Sequence, residues 1–214
     1  MRLRFPLVLA VLSASVLPAT ALSAQDFERP SDWRVRFDQP GATEEQLEQF
    51  VEMPPGWHVT SGPAGIYWHP EAEATGSFRV EMEVYLFDPG ERREAFGIFI
   101  GGRNLDAQEL AYTYFLIRNG GQFIVKHRDG SEAPTIEPWT GHEAILSYSE
   151  RGDDASVRNV LTVEADDGTL RFLVNGREVW RGPRDDLAVD GAYGFRVNHG
   201  LNLHISRLEM TPLG

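Results

Sequence analysis

RNVLTVEADDGTLRFLVNGREVWRGPRDDLAVDGAYGFRVNHGLNLHISRLEM, residues Arg158 to Met210, is the stretch that decides the fold. It holds five short apolar-periodic runs separated by turn signals. Val160 to Ala165 runs into Asp166-Asp167-Gly168, and Leu170 to Val174 runs into Asn175-Gly176. That dipeptide suits the positive φ angles of a type I′ turn, so Arg177 to Trp180 is expected to pair back as the second arm of a two-residue hairpin. Asp190-Gly191 opens Ala192 to Asn198, and His199-Gly200 opens an alternating run with Leu201, Leu203 and Ile205 on one side and Asn202 and His204 on the other. Alternation with period two marks antiparallel strands that bury one face.

The same pattern extends towards the N-terminus. Phe78, Val80, Met82, Val84 and Leu86 alternate with Arg79, Glu81, Glu83, Tyr85 and Phe87, and Phe96, Ile98 and Ile100 supply the next inward set. Tyr112 to Arg118 places Thr113, Phe115 and Ile117 on one side and Tyr112, Tyr114, Leu116 and Arg118 on the other, then turns at Asn119-Gly120-Gly121 into Phe123 to His127. Trp33 to Phe37, Trp57 to Val59 and Gly65 to Trp68 read as shorter strands, and so does Ala144 to Tyr148 between loops at Arg128 to Pro138 and Ser149 to Ala155. The only helical candidate is Thr43 to Met53, where Thr43 and Gln46 have capping-box spacing and Leu47, Phe50 and Val51 share a face. Many short strands with at most one short helix define an all-β protein, a two-sheet antiparallel jelly-roll sandwich.

The chain opens with basic Met1-Arg2-Leu3-Arg4, a mostly apolar run from Phe5 to Leu17, and small residues from Ala19 to Ala24. This is the layout of a secretory signal peptide over residues 1–24, with cleavage after Ala24 or after Ala21. Residues 25–214 then form one domain, exported to a periplasm or secreted, with no membrane span after signal removal. There is no cysteine, so stability must come from core packing. Removing Arg2 and Arg4 leaves 18 basic residues against 32 acidic ones, about −14. A net charge of that sign repels phosphate backbones and anionic surfaces, which argues against nucleic acid and leaves neutral glycans, cations or basic partners.

Asn159 to Val163, Phe172 to Gly176 and Gly194 to His199 together resemble the closing strands of the concanavalin A-like lectin/glucanase superfamily, nearest to its laminin-G-like and 3-keto-disaccharide hydrolase-type forms. The resemblance implies a concave sheet that holds a glycan or small saccharide, sometimes with calcium nearby. It also implies, for a glucanase, acidic residues at alternate positions of one concave strand. Glu81-Met82-Glu83-Val84-Tyr85 is the nearest match, with Glu81 and Glu83 as candidate catalytic carboxylates, and it departs from that pattern at Tyr85, where a further carboxylate belongs.

A pyranose stacks its C–H face on a flat side chain while its hydroxyls seek polar partners. Tyr85, Tyr112, Tyr114, Arg118, Arg196 and Asn198 are therefore the candidate ligand-binding residues. They form one groove only if the Glu81/Glu83/Tyr85 and Tyr112/Tyr114/Arg118 faces line the same sheet, with Gly97 and Phe99 between them and the glycine leaving room for a ligand. The rival reading of Glu81 and Glu83 is a solvated strand face in which Arg79 and the acids pair across strands. No cofactor is assigned. The six histidines lack zinc-site spacing, and Asp166-Asp167 and Asp185-Asp186 sit at turns where aspartate is common without an ion, so no metal ligand set is assigned and calcium stays open. Three functions fit: a carbohydrate-binding module, a glycoside hydrolase of the 3-keto-disaccharide type, and a non-catalytic structural envelope module.

Overall fold

A computed structural model describes residues 27–185 and 187–214. The proposed signal peptide, residues 1–24, lies outside the described residues. Two antiparallel sheets make the fold, with helical geometry in the described residues confined to two single 3-10 turns, Glu44–Gln46 and Tyr148–Glu150. The seven-stranded sheet contains β2 (Gln49–Glu52), β3 (Trp57–Thr60), β6 (Phe78–Leu86), β11 (Val157–Ala165), β12 (Thr169–Val174), β13 (Arg177–Pro183) and β15 (Asn202–Pro212). The eight-stranded sheet contains β1 (Arg34–Phe37), β4 (Gly65–Trp68), β5 (Glu73–Ala74), β7 (Ala95–Arg103), β8 (Ala111–Arg118), β9 (Gln122–Asp129), β10 (Thr135–Gly141) and β14 (Gly191–Val197). Their orders are β13-β12-β11-β6-β15-β3-β2 and β1-β4-β14-β7-β8-β9-β10, with β5 paired to β14. Consecutive strands thus form meanders, while β14 and β15 each insert between strands distant in sequence.

The inward faces form one core. Phe78, Val80, Met82, Val84 and Leu86 are all buried in it, as their alternation predicts, together with Phe96, Ile98, Ile100, Phe115 and Ile117 from the other sheet. Phe172 stacks on Phe115 at 4.7 Å and on Trp180 at 5.2 Å, so its ring joins the two sheets. The β12–β13 hairpin turns at Asn175 and Gly176 with φ of 51° and 76°, the two positive angles that a type I′ turn demands.

Three local expectations change. The Thr43–Met53 segment is not a helix: its capping box forms but closes only the Glu44–Gln46 turn, and Gln49–Glu52 pairs with β3 as an edge strand that buries Phe50. A lone helix of that length is marginal in water, and a neighbouring strand with open hydrogen-bonding groups outcompetes it. Ala144 to Tyr148 is not a strand either. Its backbone is held by side chains instead: Asn159 Nδ2 donates to the Leu146 carbonyl, Asn159 Oδ1 accepts from the Leu146 amide, and Asn175 Nδ2 donates to the Ala144 carbonyl. The strand in this region is β10, which starts at Thr135 inside the expected loop and pairs with β9 through two register shifts. Those shifts erase the period-two signal.

Because Phe172 is fully buried and touches both sheets, Phe172→Ala should lower the unfolding free energy by about 3–5 kcal/mol. Urea unfolding followed by tryptophan fluorescence measures this, and a loss under 1 kcal/mol would contradict the assigned packing.

Candidate functional site

The sheet assignment divides the sequence-predicted site. Glu81, Glu83 and Tyr85 lie on β6 in the seven-stranded sheet, whereas Tyr112, Tyr114 and Arg118 on β8 and Arg196 on β14 lie in the eight-stranded one. A single groove joining the two sets is therefore excluded by topology. Gly97 leaves no ligand space either, since a Cβ there would come within 2.1 Å of the Phe115 carbonyl oxygen. The glycine serves the close approach of β7 to β8.

On the seven-stranded sheet the outer residues form a ladder of ion pairs. Arg79 and Arg171 both reach Glu164, at 3.0 and 2.9 Å. Arg207 reaches Glu81 at 2.6 Å, and Arg158 binds Glu83. Glu83 also accepts from Ser206 Oγ at 2.8 Å and from the Tyr85 hydroxyl at 3.2 Å. The Arg158 hydrogen bond holds the Glu83 carboxyl below the usual carboxylate range against the opposing effect of burial, with Ser206 and Tyr85 adding to it. At neutral pH such a group has no proton to give a leaving oxygen. The cross-strand pairing expected of a solvated face is what these residues show.

Beyond Glu83 the ladder gives way to rings. His58, His204, Tyr85 and Arg158 follow one another in register across β3, β15, β6 and β11. With Phe87, Asp154, Ser206 and the Met53-Pro54-Pro55 turn, His58, His204 and Tyr85 line a cleft of about 390 Å³. Burial holds both imidazoles below the ordinary histidine value of 6.5, and in His58 the neighbouring His204 adds to it. The unfolded chain therefore takes up protons that the folded one refuses. Stability should be complete above about pH 6.5 and should fall as pH drops through the depressed folded values. His127 adds a contribution of the same sign. Melting temperatures between pH 7.5 and 5.5 test this, and the double variant His58→Gln/His204→Gln should flatten part of the slope.

The eight-stranded sheet has a different outer face. Strands of a two-layer sandwich bury one side, yet β8 is buried on both. Ile66, Trp68, Phe99, Leu105, Leu110, Tyr112, Tyr114, Leu116 and Ile124 form a second apolar cluster there, with Trp139 packed against it. The loop after β7 covers one end, held down by Arg36, which donates to the carbonyls of Leu105 and Ala107. Register places Gly194, Phe99, Tyr114 and Lys126 in one row and Ile66, Arg196, Gly97, Leu116 and Ile124 in the next.

Arg196 anchors this face. Although it is only 7% exposed, it is bound by two hydrogen bonds to Asp38, donates to the Tyr112 hydroxyl at 3.2 Å, and lies 5.2 Å from the Tyr114 ring centre. Burial opposes the Arg196 charge, but the hydrogen bonds from its nitrogens to Asp38 and the charges around it hold its pKa above the arginine value. Burial likewise opposes the Asp38 charge, and Arg196, aided by Arg128 and His199, holds that carboxyl below its usual range. Burial pushes the Tyr114 hydroxyl up to about 12, so it remains a donor at neutral pH. Arg118 stacks 4.0 Å from the Trp139 ring centre and donates to Gln122 Oε1. Asn198 stands one residue past β14, where its amide donates to the Ala95 carbonyl and its carbonyl accepts from Ser61 Oγ.

Sequence reasoning thus located Tyr112, Tyr114, Arg118 and Arg196 on one face and missed Asp38, Lys126, Arg128 and Trp139 beside them. Lys126 and Arg128 were accessible in principle, since the Gly120-Gly121 hairpin fixes β9 opposite β8. Trp139 lay in the unrecognised β10. Among the described residues, no three His, Asp or Glu side chains group so as to hold a metal ion.

No protein-family profile matches the chain, and no curated protein is similar to it in sequence. Solved structures are similar in fold. Carbohydrate binding module CBM66 from Bacillus subtilis superposes with a TM-score of 0.60 at 13% identity, covering 84% of this chain and 94% of that one. The Bacteroides ovatus mixed linkage glucan PUL GH16 in complex with its G4G4G3G product gives 0.60 at 9% identity, covering 87% and 97%. A Bacillus subtilis protein of unknown function with a galectin-like fold gives 0.58 at 12% identity, covering 85% and 89%. These likenesses show the fold, a two-sheet antiparallel jelly-roll sandwich.

The two ends of the Arg196 pair differ in their access to water, at 8% side-chain exposure against 34% for Asp38. Asp38→Ala should therefore cost about 3–5 kcal/mol by leaving a buried guanidinium unpaired. Arg196→Met should cost less, because Asp38 can rehydrate. Denaturant unfolding of both variants checks the order, which a reversal would refute.

Proposed function

We propose that the protein is an exported carbohydrate-binding β-sandwich whose saccharide ligand lies on the outer face of the eight-stranded sheet. One observation carries this reading: a sheet face that should be polar holds a second cluster of aromatic and aliphatic side chains, with arginine and tyrosine groups set among them. Flat rings offer stacking surfaces for the C–H faces of sugars, and half-buried polar groups at their edges supply direction for hydroxyls. Trp139, the partly exposed ring, is the stacking group and Arg118 braces it, while Tyr114, only 6% exposed with Arg196 against its ring, closes the floor of the face. The neighbours in fold include a protein named as a carbohydrate binding module and one bound to a saccharide product, which supports the choice of ligand class. Export rests on the leader-like residues 1–24.

The hydrolase reading loses ground because Glu81 and Glu83 are both engaged by arginine, and Glu83 is held as a carboxylate. A glycan array probed with the purified protein, with and without calcium and with product release followed in parallel, tests the proposal. Saturable binding without turnover is expected. Tyr114→Ala and Trp139→Ala should each weaken it at least about tenfold, while Glu83→Gln should leave it unchanged. Turnover abolished by Glu83→Gln would instead establish the hydrolase, and silence across the array would favour the structural module.

A further inference from the structure

Basic side chains are distributed unevenly between the two outer faces. On the seven-stranded sheet Arg79, Arg158, Arg171, Arg177, Arg181 and Arg207 each have a carboxylate partner. On the eight-stranded sheet, among the described residues, Arg36, Arg118, Arg128 and Lys126 have no carboxylate within ion-pair distance, and Lys126 is the single lysine of the sequence. These bases lie on the face that also carries the aromatic surface, beside Arg34 and Arg196, which are paired with Asp106 and Asp38.

Building on the saccharide-binding reading, we propose that this face takes an anionic saccharide, one whose sugar units carry carboxylates, and that Lys126 and Arg128 receive the charge. Register sets the geometry. Lys126 stands directly opposite Tyr114, and Arg128 directly opposite Tyr112. Opposed residues on neighbouring strands are about 5 Å apart, roughly the width of a sugar ring. A sugar ring lying over the row that holds buried Tyr114 and partly exposed Lys126 thus carries an edge substituent, such as the carboxylate of a uronic acid, over β9 and its two cations.

The arginines of the face divide the work. The terminal nitrogens of Arg196 are already taken by Asp38 and Tyr112, so its role is to brace the tyrosines. Arg128 uses Nε for the Gly130 carbonyl at 2.7 Å, which fixes the guanidinium plane and leaves its terminal nitrogens to meet a planar carboxylate. Lys126 adds a point charge whose orientation is free. Both are partly exposed, as a receiving group must be.

The test is calorimetric titration of the purified protein with galacturonate, mannuronate and glucuronate oligosaccharides, each beside its carboxyl-reduced counterpart and a sulfated heparin oligosaccharide, at low and physiological salt. At least one uronate series should bind about tenfold or more tighter than its reduced form, and the margin should narrow as salt rises. Lys126→Ala and Arg128→Ala should each remove most of that margin, while Arg177→Ala on the other sheet should not alter it; thermal melts confirm that the variants fold. Equal binding of acidic and reduced forms, both lost in Tyr114→Ala, would overturn the charge inference and leave the saccharide reading standing. Tighter binding of the sulfated ligand would overturn the carboxylate class, and no binding by any saccharide would overturn both.

Discussion

Everything in this molecule depends on the packing of two sheets across one apolar layer. The period-two alternation of β6 presents Phe78, Val80, Met82, Val84 and Leu86 to Phe96, Ile98, Ile100, Phe115 and Ile117, and the stacked rings of Phe115 and Phe172 tie the two layers together. With no cysteine to cross-link the chain, this layer supplies the stabilising energy. Once it is set, every other side chain on those strands is committed to an outer face. The chemistry of the protein is therefore the chemistry of two surfaces, each facing away from the other.

Those surfaces solve different problems. The outer face of the seven-stranded sheet satisfies its charges internally, pairing arginine with glutamate along β6, β11, β12 and β15. Pairs of this kind make a soluble, self-contained surface and contribute modestly to stability. On the outer face of the eight-stranded sheet the rings are buried, with Leu105 and Leu110 of the loop after β7 and Trp139 packed among them, and the lysine and several arginines lack acidic partners within ion-pair distance among the described residues. The Asp38–Arg196 pair is what makes such a face tolerable, since a buried guanidinium without Asp38 would carry its desolvation cost uncompensated.

The candidate site was partly legible. Alternation in Tyr112 to Arg118 and in Gly194 to Asn198 put Tyr112, Tyr114, Arg118 and Arg196 on outward positions, and all four share one face. Tyr85, Glu81 and Glu83 have the same local pattern and stand on the opposite side of the molecule. Strand periodicity reports which way a side chain points relative to its own sheet, and it carries no information about which sheet a strand joins. Net charge is silent in a similar way, because it is a sum over residues: an acidic total does not say which bases stand without an acidic partner on a given face.

From the sequence alone came the all-β class, most strand positions, the inward residues of β6, β7 and β8, and the Asn175-Gly176 hairpin. Each of these is set by local sterics and by the period of side-chain burial, which act over a few residues. Tertiary structure alone decided that Gln49–Glu52 is an edge strand, that Asn159 and Asn175 hold the Ala144–Leu146 backbone, that β10 exists, and that Asp38 meets Arg196 across 158 positions of chain. These depend on partners far away in sequence, whose hydrogen-bonding groups and charges take effect only when the two sheets have closed on each other.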